Sequence, residues 1–174
     1  MKNVSRKPFY TADGKVGADD RIGVMFVCLG NICRSPMAEF VFADEVKKSG
    51  LEHRFRIASA ATSYEEEGSP VHRGTLAKLR AEGVPVYPHY ATVLSRSDAG
   101  KYDFFIGMEE RNVNSMRRIL GSEADGKIYR MLDFSDNPRN IADPWYTGNF
   151  DVTYDDIKEG CAAFLAYLER TGRI

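Results

Sequence analysis

Long apolar runs are missing from the chain. Nowhere do eighteen apolar residues follow one another, so no segment reads as a membrane-spanning helix. The opening stretch "MKNVSRKPFYTADGKVGADD" also lacks the apolar core of a secretory signal, so a soluble cytoplasmic protein that binds no membrane is expected. Cysteine and histidine are scarce. Three cysteines, an odd number without zinc spacing, make neither a disulfide framework nor a metal cage, and His53, His72 and His89 lie scattered. Reduced thiols and no metal follow. Neither sign of charge is in excess, with 24 basic against 25 acidic side chains, so no whole-molecule field attracts nucleic acid or anionic lipid. A charged ligand would have to be caught locally.

What is present suits one enzyme-sized domain. With 174 residues, 43% of them hydrophobic, the chain is long enough to bury one sizeable core. That domain is expected over residues 21–174, after an extension of residues 1–20. The pair Asp13-Gly14 suits a tight turn between short strands, which leaves two readings of the extension, a docked hairpin and a flexible arm.

Strand and helix patterns then alternate. The run "IGVMFVC", residues 22–28, is nearly continuously apolar, as in a strand covered on both faces. Ser35-Pro36 offers an N-cap and a proline at the first helical position, Met37, Phe40 and Val41 recur at helical spacing, and Gly50 supplies a stop. Further strands are expected over 54–58, 84–87 (the weakest), 102–108 and 128–132. Helices are expected over 71–82, 109–120 and, after the long loop "NPRNIADPWYTGNFD", 154–171. Such alternation predicts an α/β fold with a parallel sheet, whose ligands bind at the carboxyl ends of the strands. Cys28 stands at such an end.

Five residues separate Cys28 from Arg34, enough to curl the backbone into a loop whose N–H groups converge at a helix start and bind an oxyanion. Gly30 permits close backbone approach, and Asn31 tolerates a left-handed conformation. Arg34 presents a planar fork to two phosphate oxygens. The same positive surroundings favour the thiolate of Cys28, so the pattern predicts a sulfur nucleophile beneath a phosphate.

These residues carry a resemblance. "VCLGNICRSPMAE" resembles the phosphate-binding loop of the low-molecular-weight protein tyrosine phosphatases, and "ADPWYTGNFD" resembles that family's late general-acid loop, the likeness covering about residues 22–171. The resemblance implies a four-stranded parallel sheet flanked by helices on both faces. It implies hydrolysis of phosphotyrosine in a protein substrate through a cysteinyl-phosphate intermediate, without a cofactor, by a monomer or weakly self-associating chain. By position, Cys28 matches the nucleophile, Arg34 the phosphate clamp and Asp143 the general acid. Asn31 matches the residue that holds the loop's shape and Ser35 the serine bonded to the sulfur. Ser59 in "SAATS" and His89 in "PHYAT" match residues that brace the asparagine. Leu29, Ile32, Tyr64 and Trp145 fall where the family places its cleft walls, with Gly30 and Cys33 in the same loop. Cys33 also resembles a second cysteine that some members use to trap an oxidised nucleophile, while an inert filling residue is the other reading. Cys161, on the apolar face of the last helix, reads as core.

Two departures stand out. Asp143-Pro144-Trp145-Tyr146 replaces the family's common Asp-Pro-Tyr-Tyr, which removes the first tyrosine as a phosphorylation site, and residues 1–20 have no counterpart in the usual compact form. Sibling activities fit less well. Arsenate reduction needs further downstream cysteines and only Cys161 follows, and phosphoarginine hydrolysis resembles this loop with threonine in place of Ile32. A phosphotyrosine-binding module would lack the nucleophile or the acid, and this chain has both.

Overall fold

The computed structural model describes residues 7–10 and 16–174, with side chains from residue 19 onward. Strands β1 (Lys7–Tyr10) and β2 (Val16–Asp19) pair antiparallel, Lys7 opposite Asp19 and Tyr10 opposite Val16. The Asp13-Gly14 turn falls outside the described residues. Asp19, at the end of this ladder, is tied to Arg21 at 2.9 Å and to Arg56 at 3.3 Å.

Strand β3 (Ile22–Cys28) is buried along its whole length, the outcome its unbroken apolar run dictates. Parallel neighbours bond it on both sides, β4 (Phe55–Ala61) and β5 (Phe104–Gly107), and β6 (Ile128–Arg130) completes the order β4-β3-β5-β6. The pleat sends alternate side chains of β3 to opposite faces. Ile22, Val24, Phe26 and Cys28 join a core built with α1 (Arg34–Lys48), α2 (Arg73–Ala81) and α5 (Phe150–Arg170). Met25 and Val27 join a second core under α3 (Glu110–Leu120). Helices therefore cover both faces of a four-stranded parallel sheet. The seven-residue strand delivers Cys28 to the carboxyl end, opposite Ala61 of β4.

Most element bounds differ from the sequence reading by one to four residues, β4 running on to Ala61 where 58 was expected, and four of the differences have a local reason. α1 begins at Arg34 with Cys33 as its cap, so Ser35 is no N-cap and Pro36 sits deeper in the first turn, where its missing N–H still has no helical partner to lose. Residues 84–87 form no strand, since Pro85 and Pro88 remove ladder donors at three-residue spacing. The strand expected over 128–132 ends at Arg130 and tightens into a 3-10 turn, Met131–Phe134. The last helix starts four residues early, because Asn149 caps it by accepting the Val152 N–H at 3.1 Å. In the loop before it, Pro144–Thr147 forms the short helix α4.

Glu45 of α1 bears on stability. Burial pushes its carboxyl up to about 7, against 4.5 for the free side chain. Between those values the folded chain holds a proton that the unfolded chain has released, so stability falls as pH rises from about 4.5 to about 7 and stays at the lower level above. Glu45→Gln removes this titration. The variant should be more stable than the parent by on the order of 2 kcal/mol at pH 8 and little changed at pH 4, as read by urea unfolding at the two pH values.

Candidate active site

The loop after β3 is held from outside by its carbonyls. Cys28 C=O accepts from Thr62 N–H at 3.0 Å, Leu29 C=O from Ser63 N–H at 3.0 Å, Ile32 C=O from His72 N–H at 2.8 Å, and Cys33 C=O from the Thr75 hydroxyl at 3.3 Å. In a trans peptide the carbonyl and the next N–H point in opposite directions. With these four carbonyls turned outward, the N–H groups of Leu29, Gly30, Cys33 and Arg34 turn inward. The N-terminus of α1 adds its positive dipole end to the same concavity.

At the centre lies the Cys28 sulfur, 3.0 Å from the Ser35 hydroxyl and accepting the Asn31 N–H at 3.3 Å. Asn31 is the non-glycine residue at positive φ among the described residues (φ 57), and its buried amide is used throughout. Nδ2 donates to Ser35 Oγ at 2.8 Å and to Ser59 Oγ at 2.9 Å. Oδ1 accepts the Thr92 N–H at 3.1 Å and faces His89 Nε2 at 3.0 Å. Two proton positions follow. Against a Cys28 thiolate, which has no hydrogen to give, the Ser35 hydroxyl is the donor on the sulfur while its oxygen accepts from Asn31, and His89 must carry its hydrogen on Nε2 because an amide oxygen has none to give. On the far side of His89, Nδ1 is 3.9 Å from Glu39 Oε2, the oxygen that also accepts the Tyr87 hydroxyl at 2.6 Å.

Arg34 is buried, 2% exposed, among acceptors. Nη1 donates to Glu109 Oε2 at 3.0 Å and to Ile141 C=O at 2.9 Å, while Nη2 donates to Asp143 Oδ2 at 3.2 Å. Asp143 caps α4, its Oδ1 accepting the Trp145 N–H at 3.1 Å. A chain separation of 109 residues is thus closed to a single ion pair. Burial pushes the Cys33 thiol up to about 12, so it stays protonated at neutral pH.

Cys28, Leu29, Gly30, Ile32, Cys33, Arg34, Asp143 and Trp145 line one cleft of ≈ 140 Å³. Asn31, Ser35, Ser59 and His89 lie behind the loop rather than on the cleft wall. Tyr64 is 74% exposed and does not line the cleft; its neighbours Glu65 and Glu66 do, with Tyr146 opposite. Sequence reasoning missed those three, and also Glu109, Thr92, Glu39 and Tyr87. One of them had a signal: Glu39 is a carboxylate on a stretch of α1 whose neighbours Met37, Ala38, Phe40 and Val41 are all core.

A cysteine at the end of a central parallel strand, ringed by inward amides and followed by an arginine at a helix start, defines the class of cysteine-dependent phosphatases. The comparisons narrow the class. The profile of the low molecular weight phosphotyrosine protein phosphatases matches residues 23–173. The low molecular weight protein-tyrosine-phosphatase YfkJ of Bacillus subtilis is 40% identical over 151 residues, 86% of this chain and 97% of that protein. PtpA of Staphylococcus aureus, with the same family title, is 30% identical over 154 residues, 88% of this chain and 97% of its own. The crystal structure of YfkJ superposes with a TM-score of 0.84 at 39% identity, covering 89% of this chain and 99% of that one. The chain belongs to the low molecular weight phosphotyrosine protein phosphatase family.

Asn31→Ala would leave Ser35, Ser59, His89 and the Thr92 N–H without their buried partner and lose the tolerance of asparagine for positive φ. It should cost on the order of 3 kcal/mol in urea unfolding. Asn31→Gly relieves the backbone but not the network, and should recover about 1 kcal/mol of that loss.

Proposed function

We propose that the chain is a protein tyrosine phosphatase that hydrolyses phosphotyrosine in a protein substrate, with Cys28 as nucleophile, Arg34 as phosphate clamp and Asp143 as general acid and then general base. The observation that carries this reading is the single cleft in which the Cys28 sulfur, the Arg34 guanidinium and the Asp143 carboxyl meet.

The residues divide the reaction as follows. Inward amides and Arg34 hold the three equatorial phosphate oxygens, which replace Asp143 on Nη2 and free its Oδ2 to take up a proton from solvent. The Cys28 thiolate attacks phosphorus and the bond from phosphorus to the phenolic oxygen breaks, the departing oxygen taking a proton from Asp143. Water then attacks the cysteinyl phosphate and gives a proton to the Asp143 carboxylate. Inorganic phosphate leaves, and the thiolate is regenerated beneath the hydroxyl of Ser35. Asn31, Ser59 and His89 keep the loop in shape through both steps, so no donor has to reorient. Leu29, Ile32, Trp145 and Tyr146 flank an aryl group, with Tyr64 at the rim. Cys33, kept protonated by burial, leaves the attack on phosphorus to Cys28. A cytoplasmic setting is part of the same reading, and no helix among the described residues is long and apolar enough to cross a membrane.

Cys28→Ser should abolish turnover of an aryl phosphate while inorganic phosphate and vanadate still bind, because the anion site is built from backbone and Arg34. Measurable turnover by that variant would refute the mechanism. Asp143→Asn should slow hydrolysis by about 10² to 10⁴ for a poor leaving group, the loss shrinking as the phenol becomes more acidic. A series of aryl phosphates of graded phenol pKa measures this, and a constant deficit would assign Asp143 to loop structure instead.

A further inference from the structure

Behind the wall formed by Trp145, three side chains meet at a point the sequence reading did not mark. The His72 ring lies parallel to Phe150, centroids 5.4 Å apart and planes at 16°, and makes an edge contact with the Trp145 indole at 5.7 Å and 78°. Its backbone N–H is the donor on the Ile32 carbonyl of the phosphate loop. Its Nδ1 accepts the Gly74 N–H at 3.0 Å and so caps α2. Trp145 in turn donates its backbone N–H to Asp143 Oδ1. A continuous chain of contacts therefore runs from the phosphate loop through His72 and Trp145 to the Asp143 carboxyl.

We infer that His72 is a positioning residue that fixes the acid-bearing loop relative to the phosphate loop by clamping Trp145 with its ring; the inference rests on the proposed role of Asp143. α4 is four residues long and Trp145 is 58% exposed, so this helix has little of its own to hold it in place. His72 is the aromatic partner that the described residues provide for the indole. The clamp has a rigid back. Phe150 packs so closely on Gly74 that a Cβ there would collide with the ring, which explains a glycine in the first turn of α2. Lys78 of α2 and Asp151 of α5, 2.8 Å apart, tie the two helices together beside it.

Imidazole does two things here, and substitution separates them. His72→Asn keeps a capping side chain and loses the ring. His72→Phe keeps a ring and loses the cap. The experiment compares both, with Asp143→Asn, on the graded aryl phosphates, alongside inhibition by inorganic phosphate and the fluorescence anisotropy of Trp145, the one tryptophan in the sequence.

His72→Asn should lower kcat for the poorest leaving group by at least about tenfold, the deficit shrinking for better ones, since general-acid help is what it removes. Its phosphate inhibition constant should stay near the parent value and its Trp145 anisotropy should fall. His72→Phe should recover most of the kcat and the anisotropy. Gly74→Ala, which pushes Phe150 off the back of the imidazole, should move the same readouts in the direction of His72→Asn and guards against a variant that fails to fold. The reverse ranking of the two His72 variants would leave His72 only a helix cap and overturn the inference. A flat deficit across leaving groups or an unmoved Trp145 in His72→Asn would overturn it too. A flat deficit in Asp143→Asn itself would remove the acid role, whereas a steep one there beside a flat one in His72→Asn removes the positioning role alone.

Discussion

The side-chain amide of Asn31 satisfies Ser35, Ser59, His89 and the Thr92 N–H at once, from a backbone held at φ 57. Unpaired buried amide atoms are costly, so this set of bonds stands or falls as a unit. Its consequence is directional. Nδ2 holds Ser35 Oγ 3.0 Å from the Cys28 sulfur, where its hydroxyl can donate to a thiolate. The same left-handed residue carries the chain round the turn whose carbonyls face out and whose amides face in. The chemistry at the sulfur is therefore set by hydrogen bonds on the side of the loop away from the cleft.

Electrostatics at the mouth work against a phosphate until it is bound. Arg34 is neutralised by Glu109 and Asp143, and Glu65 and Glu66 line the same cleft. A buried guanidinium needs such partners, since an uncompensated charge there would cost several kcal/mol. In the proposed mechanism phosphate oxygens take over one of those ion pairs, the one that Asp143 makes from the N-cap of α4. Under that proposal, recognition and release of the acid become one event.

Much of this was legible along the chain because its signals are local. An unbroken apolar run marks a strand buried on both faces, and Gly, Asn and Ser-Pro between Cys28 and the helix mark a tight anion-binding turn. The alternation of elements carried the parallel sheet. Errors fell on a helix start, on a weak strand and on one expected cleft wall. Ser35 has the composition of an N-cap, yet it serves Cys28 and Asn31, and residues 84–87 look extended but meet no strand. Tyr64 was expected as a wall; the loop turns it outward and brings in Glu65 and Glu66.

Sequence alone determined the central strand, the loop that follows it and the order of the candidate groups Cys28 and Arg34, since a five-residue spacing and an apolar period are properties of neighbours along the chain. Only the tertiary structure decided which distant groups complete the site. Glu109 reaches Arg34 across 75 residues and the Thr92 N–H reaches Asn31 across 61, partners that the sequence reading did not name beside Asp143 and His89. His72 meets Trp145 because α2 and α5 pack side by side. Those meetings depend on how helices stack on a twisted sheet, a geometry fixed by packing over the whole core and written in no single stretch of residues.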